Sequence, residues 1–410
     1  MLLILKNTFA QVFAKGITSI VTLVITIFLA RYFGASGYGD FTKVVSLVTL
    51  GYILVDFGFN AVFLQEKDIS FKTLFYTRLL IAVFLITILN IVVFALPRSV
   101  GAIGFSDNVR IGIFVFSLTL FVQSILQSST AIFQQRKQYE HLFVSVLVGS
   151  LVSVCLFFFI QAYSALTLSS ALLSLLIGNI ITAIVSFIFA KQSISLDTLS
   201  FGRIKQLCLK SLPLGAMLVF NLVYFRADII ILSFFKSSAE VGTYGLSYRF
   251  FDFLLTLPLF LTNALYPHFL DAEKNNRTSA EVGIKFLTMS LPVSLVLIAI
   301  FWIASPLLIL IDPDFYKAIV PFRILLLSLP LFFASSILQW VLIAKKQQVF
   351  LVWQYLIIGT LNVIANVIFI PTYSYIASSI ITGLSEALIV VILSLKILHS
   401  KNNFHYGKYN

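Results

Sequence analysis

Residues 211–270 read SLPLGAMLVFNLVYFRADIIILSFFKSSAEVGTYGLSYRFFDFLLTLPLFLTNALYPHFL and contain two apolar runs, each long enough to cross a lipid bilayer. Each run nevertheless carries ionisable residues well inside it: Arg226 and Asp228 in the first, Arg249 and Asp252 in the second. Charge in hydrocarbon is costly, so these side chains should face the interior of a helix bundle or a water-filled cavity. The stretch therefore predicts a pathway through a membrane-embedded bundle.

The composition extends this prediction to the whole chain. Of its 410 residues, 60% are hydrophobic and only 11% are charged, which is typical of an all-α polytopic membrane protein. The net charge of +12 does not indicate nucleic-acid binding, because the basic residues lie mostly in short loops between apolar runs, where they specify topology. Cys155 and Cys208 have no metal-ligand spacing and are interpreted as inert. The N-terminus runs directly into an apolar segment, and we expect no cleaved signal peptide.

Windows of about 20 apolar residues predict twelve membrane-spanning helices. The first six are 9–32, 41–64, 71–96, 109–133, 142–162 and 166–190, and the second six are 212–235, 243–268, 282–311, 318–344, 349–370 and 376–398. Lys and Arg are concentrated in the loops of one side, whereas the opposite side holds fewer, among them Lys43. This bias and the even number of spans predict that both termini are cytoplasmic.

The two halves of the chain resemble each other. An offset of 206 residues places GYG at 37–39 on TYG at 243–245, and 241–245 is predicted to form a turn of small residues. Because each half holds an even number of spans, the halves should be related by a pseudo-two-fold axis along the membrane normal. We therefore predict an N-terminal lobe at 1–200 and a C-terminal lobe at 201–410, each with six helices.

Well inside the predicted spans, more than about five residues from either end, ionisable groups of both signs are equal in number: Lys15, Arg78, Arg226 and Arg249 against Asp56, Asp228, Asp252 and Glu386. Composition alone therefore does not indicate a cationic cavity. Lys15 and Arg78 lie about two turns from the cytoplasmic end of their helices, where snorkelling to the lipid headgroups is the simplest interpretation. If they face inward instead, they join the candidate substrate site.

The deeper charges leave alternatives open. Arg249 and Asp252 share a helix face and can pair, or Asp228 can meet Arg249 between two helices, so an internal ion-pair lock competes with substrate binding. Arg226 is then the best candidate ligand for an anionic group of the substrate, because its planar guanidinium can bind two phosphate oxygens. Asp56 and Glu386 are candidate coupling-ion sites for H⁺ or Na⁺, or else hydrogen-bond partners between helices.

Enzymatic patterns are missing from the sequence. All four His residues lie in loops or in the tail, and no loop on the exterior side is long enough to house an active site. We predict a transporter without catalytic residues, metal site or cofactor.

Several short motifs resemble those of a known family. In the first half they are FLARYFG at 28–34, GYG at 37–39 and DFGFN at 56–60; in the second half they are PLG at 213–215, RAD at 226–228, VGTY at 241–244 and Pro267. With the length and span count, they resemble the Wzx-type polysaccharide flippases of the multidrug/oligosaccharidyl-lipid/polysaccharide (MOP) exporter superfamily.

The resemblance implies two MATE-like lobes around a cavity that opens alternately to each side of the bacterial inner membrane. It also implies a cargo of undecaprenyl-diphosphate-linked oligosaccharide, an O-antigen or capsule repeat unit, moved from the cytoplasmic to the periplasmic leaflet. The polysaccharide polymerase and the chain-length regulator are candidate partners beside membrane lipid. A MATE-type drug/cation antiporter is the alternative, and a membrane glycosyltransferase or polymerase is the less favoured one.

Overall fold

The computed structural model describes residues 2–66, 68–100, 103–191, 200–274 and 279–406, with the side chains of some residues near these limits left out. Almost all of these residues are helical. The α-helices are α1 Leu2–Asp56, α2 Phe59–Gln65, α3 Phe71–Ala95, α4 Asp107–Ser117, α5 Thr119–Arg136, α6 Tyr139–Tyr163, α7 Leu168–Ala190, α8 Phe201–Phe235, α9 Ser238–Lys274, α10 Ser279–Ala304, α11 Ile319–Ala344 and α12 Gln348–Tyr406, with short 3-10 helices at Ser305–Leu310 and Pro313–Ala318.

Nine helical stretches among the described residues are long and apolar enough to cross a membrane. Two of them, Ser19–Gln65 and Gln348–His399, have 47 and 52 residues, about twice what one crossing needs. Each contains a break in its backbone, at Gly34 (φ 62°) in α1 and at Ser374 (φ 53°) in α12. A multi-pass, all-helical membrane protein is therefore confirmed, while the number of twelve spans stays a prediction.

Polar side chains begin several of these helices. Ser70 accepts a hydrogen bond from the amide of Thr73 at the start of α3, and Ser106 does so from Val109 at the start of α4. Such caps satisfy amide groups that have no partner within the helix, which matters most where water is scarce. They fix the points at which the apolar runs become helices.

The chain divides into two compact units, Met1–Gly242 and Thr243–Asn410. The predicted lobe boundary at residue 200 lies within the first unit, and the division into two six-helix lobes stays a prediction. The first unit has a hydrophobic core in which Phe59, Leu74, Phe133 and Leu207 are almost fully buried. This core brings together α2, α3, α5 and α8.

The second unit contains α9 from Thr243 on, α10, α11 and the two segments of α12. Its interior is partly polar, since Asn362, Asn366 and Glu386 are all at least 97% buried. The amide of Asn362 donates to the Ser385 hydroxyl at 2.9 Å, across the two segments of α12. Hydrogen bonds of this kind are a usual way of joining helices in a membrane.

The segment 241–245 is not a turn, contrary to the prediction, but part of α9. Its glycine permits close packing instead. A Cβ on Gly242 would lie 2.0 Å from the carbonyl oxygen of Ala35, and one on Gly39 would lie 1.6 Å from that of Ser238. Each helix thus places its glycine against the other's backbone. In these two contacts Gly39 corresponds to Gly242 and Ala35 corresponds to Ser238. The offset between corresponding residues is 203, whereas the sequence comparison used 206.

Candidate functional site

Arg78 and Asp56 form a buried ion pair in the first unit. Nη2 of Arg78 lies 3.1 Å from Oδ1 of Asp56, and the same nitrogen donates to Oδ1 of Asn60 at 2.8 Å. Nε of Arg78 donates to the carbonyl oxygen of Val55 at 3.3 Å. The side chain of Arg78 is fully buried, whereas that of Asp56 is 32% exposed. The guanidinium therefore has acceptors from both the end of α1 and the start of α2.

The helical conformation is interrupted between α1 and α2. Phe57 and Gly58 both have positive φ angles, 41° and 71°, so neither continues the helix. The ring of Phe57 lies over Gly215 of α8, where an added Cβ would be 2.6 Å from it. Leu214 likewise packs on Gly58. The DFGFN and PLG motifs of the sequence therefore meet at this break.

These contacts correct the snorkelling interpretation of Arg78. Its guanidinium points inward to Val55, Asp56 and Asn60 and does not reach outward along the helix. The position of Arg78 along α3 predicted its depth in the membrane. The sequence could not show that the end of α1 lies beside its guanidinium. The side chain of Lys15 lies outside the described residues.

Arg226 and Asp228 both lie on α8 in the first unit. Asp228 is 97% buried, and its Oδ1 accepts a hydrogen bond from the amide of Ile229 at 2.7 Å. Arg226 is only partly buried. Both residues also make interactions with other groups of the protein. A cavity-facing role for Arg226 stays a prediction.

Arg249 and Asp252 lie on α9 in the second unit, and both are partly buried. They flank Phe251, which is fully buried. Asp252 also interacts with the rest of the protein. Their pairing with each other, the pairing of Asp228 with Arg249 and a role of Arg249 in substrate binding all stay predictions.

Glu386 lies in the second segment of α12 and is 98% buried. Its Oε1 accepts a hydrogen bond from the hydroxyl of Ser335 on α11. In the neighbouring hydrogen-bond group, the amide of Asn366 donates to Oδ1 of Asn362 at 2.9 Å. Such oxygens can hold a small cation or a proton, and equally can join helices.

Lys43 was not among the predicted site residues and was counted with the loop charges. Lys43 is fully buried on α1, and its Nζ donates to the carbonyl oxygen of Gly104 at 2.6 Å and to the Ser238 hydroxyl at 3.0 Å. The Ser238 hydroxyl in turn donates to Oδ1 of Asp40 at 2.5 Å. A signal was present in the sequence, since Lys43 falls inside the second predicted span.

Comparisons with proteins of known structure place this arrangement in a known fold. The lipid II flippase MurJ in an inward closed conformation is 15% identical, with a TM-score of 0.77 over 94% of this chain and 86% of that one. A multidrug resistance MATE family transporter of the MOP superfamily, in an inward-facing conformation, is 13% identical, with a TM-score of 0.68 over 94% and 96%. A MOP superfamily transporter from Pyrococcus furiosus is 14% identical, with a TM-score of 0.62 over 97% and 96%. The chain thus has the fold of these transporters.

Sequence comparison adds the family. No curated protein matches the chain significantly. The sequence model of a family described as polysaccharide biosynthesis protein, in contrast, matches residues 4–273, which include the DFGFN break, the RAD motif of α8 and the glycine contact of α1 with α9. The resemblance drawn from the sequence is thereby confirmed, and this chain belongs to the polysaccharide biosynthesis protein family, with the fold of the MOP superfamily.

Proposed function

We propose that the protein is a flippase that moves an undecaprenyl-diphosphate-linked oligosaccharide, an O-antigen or capsule repeat unit, from the cytoplasmic to the periplasmic leaflet. The observation that carries this proposal is the combination of a polysaccharide biosynthesis family match with a transporter fold. The similarity to a lipid II flippase supports a lipid-linked cargo with a large polar head group.

The physical need for such a protein follows from the cargo. A diphosphate and a set of hydroxyl groups would lose their hydration in hydrocarbon without replacement. Alternating access through a polar cavity lets the head group cross while the lipid tail stays in the membrane. Arg226 is the proposed phosphate ligand, because it is partly exposed on a membrane-spanning helix and a guanidinium binds phosphate in a bidentate way. Arg249 is the second proposed cation.

A coupling ion, H⁺ or Na⁺, can bias the alternation only if it binds one state better than the other. Of the two candidate carboxylates, Glu386 is the better one. Asp56 already holds a guanidinium, which is a poor setting for a second cation. Glu386 accepts from the neutral hydroxyl of Ser335. The preceding residue of the helix, Ser385, accepts from the neutral amide of Asn362. We propose that the protein lies in the inner membrane with both termini cytoplasmic. The polysaccharide polymerase and the chain-length regulator are its proposed partners in that membrane.

A MATE-type drug/cation antiporter is the second candidate, favoured by the likeness to the MATE transporters. A strain that lacks the protein separates the two. The flippase predicts that lipid-linked repeat units accumulate and that drug sensitivity stays unchanged, whereas the antiporter predicts drug hypersensitivity without accumulation. The second outcome would refute the flippase.

The role of Arg226 is tested in the same strain by complementation. Arg226→Ala should insert at the normal level and fail to restore export, while Arg226→Lys, which keeps the charge but not the bidentate geometry, should restore part of it. Arg203→Ala is the matched control, since Arg203 is exposed near the start of the same helix and should be dispensable. Full export by Arg226→Ala would show that the cargo does not need this cation.

A further inference from the structure

The break between α1 and α2 has an unusual set of contacts. The last carbonyl groups of a helix lack partners within it, and the Val55 oxygen is one of these groups at the end of α1. Arg78 supplies its donor from α3. On the other side of the break, α2 begins after Gly58, which has no side chain to cap the helix. Arg78 bonds to Asn60 within the first turn there. One guanidinium therefore bridges the end of one helix and the start of the next.

We infer that Arg78 is a positioning residue that clamps the break at Phe57–Gly58 and holds Asp56 in place, and that the cargo does not contact it. A planar guanidinium can serve three acceptors at fixed angles, which a lysine ammonium on its flexible stem cannot reproduce. The guanidinium carbon lies over the ring of Phe59, 5.8 Å from its centroid. Complete burial leaves no surface of Arg78 for a passing phosphate.

The clamp has a clear place in the fold. Phe57 lies against Gly215, and Gly58 lies against Leu214. The segment between α1 and α2 therefore packs on α8. The same helix carries Arg226, about three turns further along. Fixing the break therefore fixes the surface on which that part of α8 packs. The consequence for transport rests on the proposed function, whereas the clamp itself can be tested without any cargo.

The unequal burial of the two partners decides the design of the test. Asp56→Asn leaves a fully buried cation without its counter-ion, whereas Arg78→Met leaves a carboxylate that is still partly exposed. Asp56→Asn should therefore lower the unfolding temperature of the purified protein more than Arg78→Met does. The double variant Asp56→Asn/Arg78→Met, which buries no unpaired charge, should be more stable than Asp56→Asn alone. Arg31→Met is the matched control, because Arg31 is exposed on α1 and should change nothing.

A distance measurement reports on the clamp itself. Spin labels at Leu47 and Leu64, in a background without Cys155 and Cys208, flank the break. An unbroken helix would separate these positions by about 26 Å along its axis. The distance distribution should be narrow in the wild-type sequence and wider in Arg78→Met, Arg78→Lys and the double variant. It should stay narrow in Arg31→Met.

Two results would overturn the inference. One is an unchanged distance distribution in Arg78→Met, which would show that the break holds without the guanidinium. The other is normal or increased export by Asp56→Asn together with export lost equally in Arg78→Met and in the double variant, which would make Arg78 a cargo ligand. If the protein proves to transport another cargo, the distance and stability results still decide on the clamp.

Discussion

The contact between Gly39 and Ser238 makes a sharp prediction about stability. A Cβ on Gly39 would lie 1.6 Å from the carbonyl oxygen of Ser238 and 2.5 Å from its carbonyl carbon, while real Cβ atoms essentially never come within 3.0 Å of another group. The Gly39→Ala variant must therefore separate α1 from the first turn of α9 by about 1.4 Å, the difference between 3.0 and 1.6 Å. The obstacle is backbone, so a change of rotamer cannot relieve it.

The size of the effect follows from two opposing terms. Overpacking of this kind costs about 1–3 kcal/mol, and the rigid obstacle argues for the upper end. Alanine in place of glycine gains about 1 kcal/mol in helix propensity. We therefore expect Gly39→Ala to lower the free energy of unfolding by about 2 kcal/mol, net of that gain. Gly242→Ala, blocked at 2.0 Å by the Ala35 oxygen, should act in the same direction.

Reversible unfolding in mixed detergent micelles measures both variants. Gly202→Ala is the matched control, since a Cβ there meets nothing nearer than the Ser200 hydroxyl at 3.6 Å. It should be neutral or slightly stabilising. Unfolding of Gly39→Ala at the same detergent fraction as Gly202→Ala would show that the two helices do not need their close approach.

Four further substitutions test other polar contacts. Lys43→Met leaves the carbonyl oxygen of Gly104 without its lysine donor and should cost about 1–3 kcal/mol in the same unfolding assay, whereas Lys317→Met, at an exposed position, should cost nothing measurable. Ser335→Ala removes the hydroxyl that donates to the buried Glu386 carboxylate and should destabilise the protein by about 1–3 kcal/mol. Glu386→Gln should fold normally but transport without dependence on the ion gradient, and gradient-dependent transport in proteoliposomes would contradict the coupling role. Lys210→Ala breaks an ion pair with Glu66 whose members are 39% and 36% exposed, so its effect should stay below about 1 kcal/mol, and a larger loss would mean that this pair is not screened by solvent.

The sequence predicted the bounds of several helices to within two residues. The predicted span 71–96 became Phe71–Ala95, 166–190 became Leu168–Ala190, and 318–344 became Ile319–Ala344. The starts of α3 and α7 follow the capping residues Ser70 and Thr167, and the length of the apolar run predicts the rest. The pattern of hydrophobic residues did not reveal where a helix is interrupted. The predicted span 41–64 continues through Phe57–Gly58 without a change in hydrophobicity, although both residues leave the helical conformation.

The partners of the charged residues could not be read from the sequence. Depth along a helix placed Arg78 near a membrane surface, but only the packing of α3 on the end of α1 shows that its guanidinium turns inward. Glycine was equally ambiguous, because a small residue between apolar runs is typical both of a turn and of close helix packing. At Gly39 and Gly242 close packing is the observed result.

Several cations of this chain serve its own backbone, which changes how its positive charge should be interpreted. Four arginines donate to carbonyl oxygens at or near the ends of helices: Arg78 to Val55, Arg110 to Leu96, Arg136 to Ala190 and Arg323 to Trp302. The carbonyl end of a helix carries partial negative charge and unsatisfied acceptors, so a cation there stabilises the fold without any ligand. A net charge of +12 is therefore weak evidence for an anionic cargo. Support for a diphosphate cargo therefore has to come from individual cations, and Arg226, tested against Arg203 on the same helix, is the decisive residue for the proposed function.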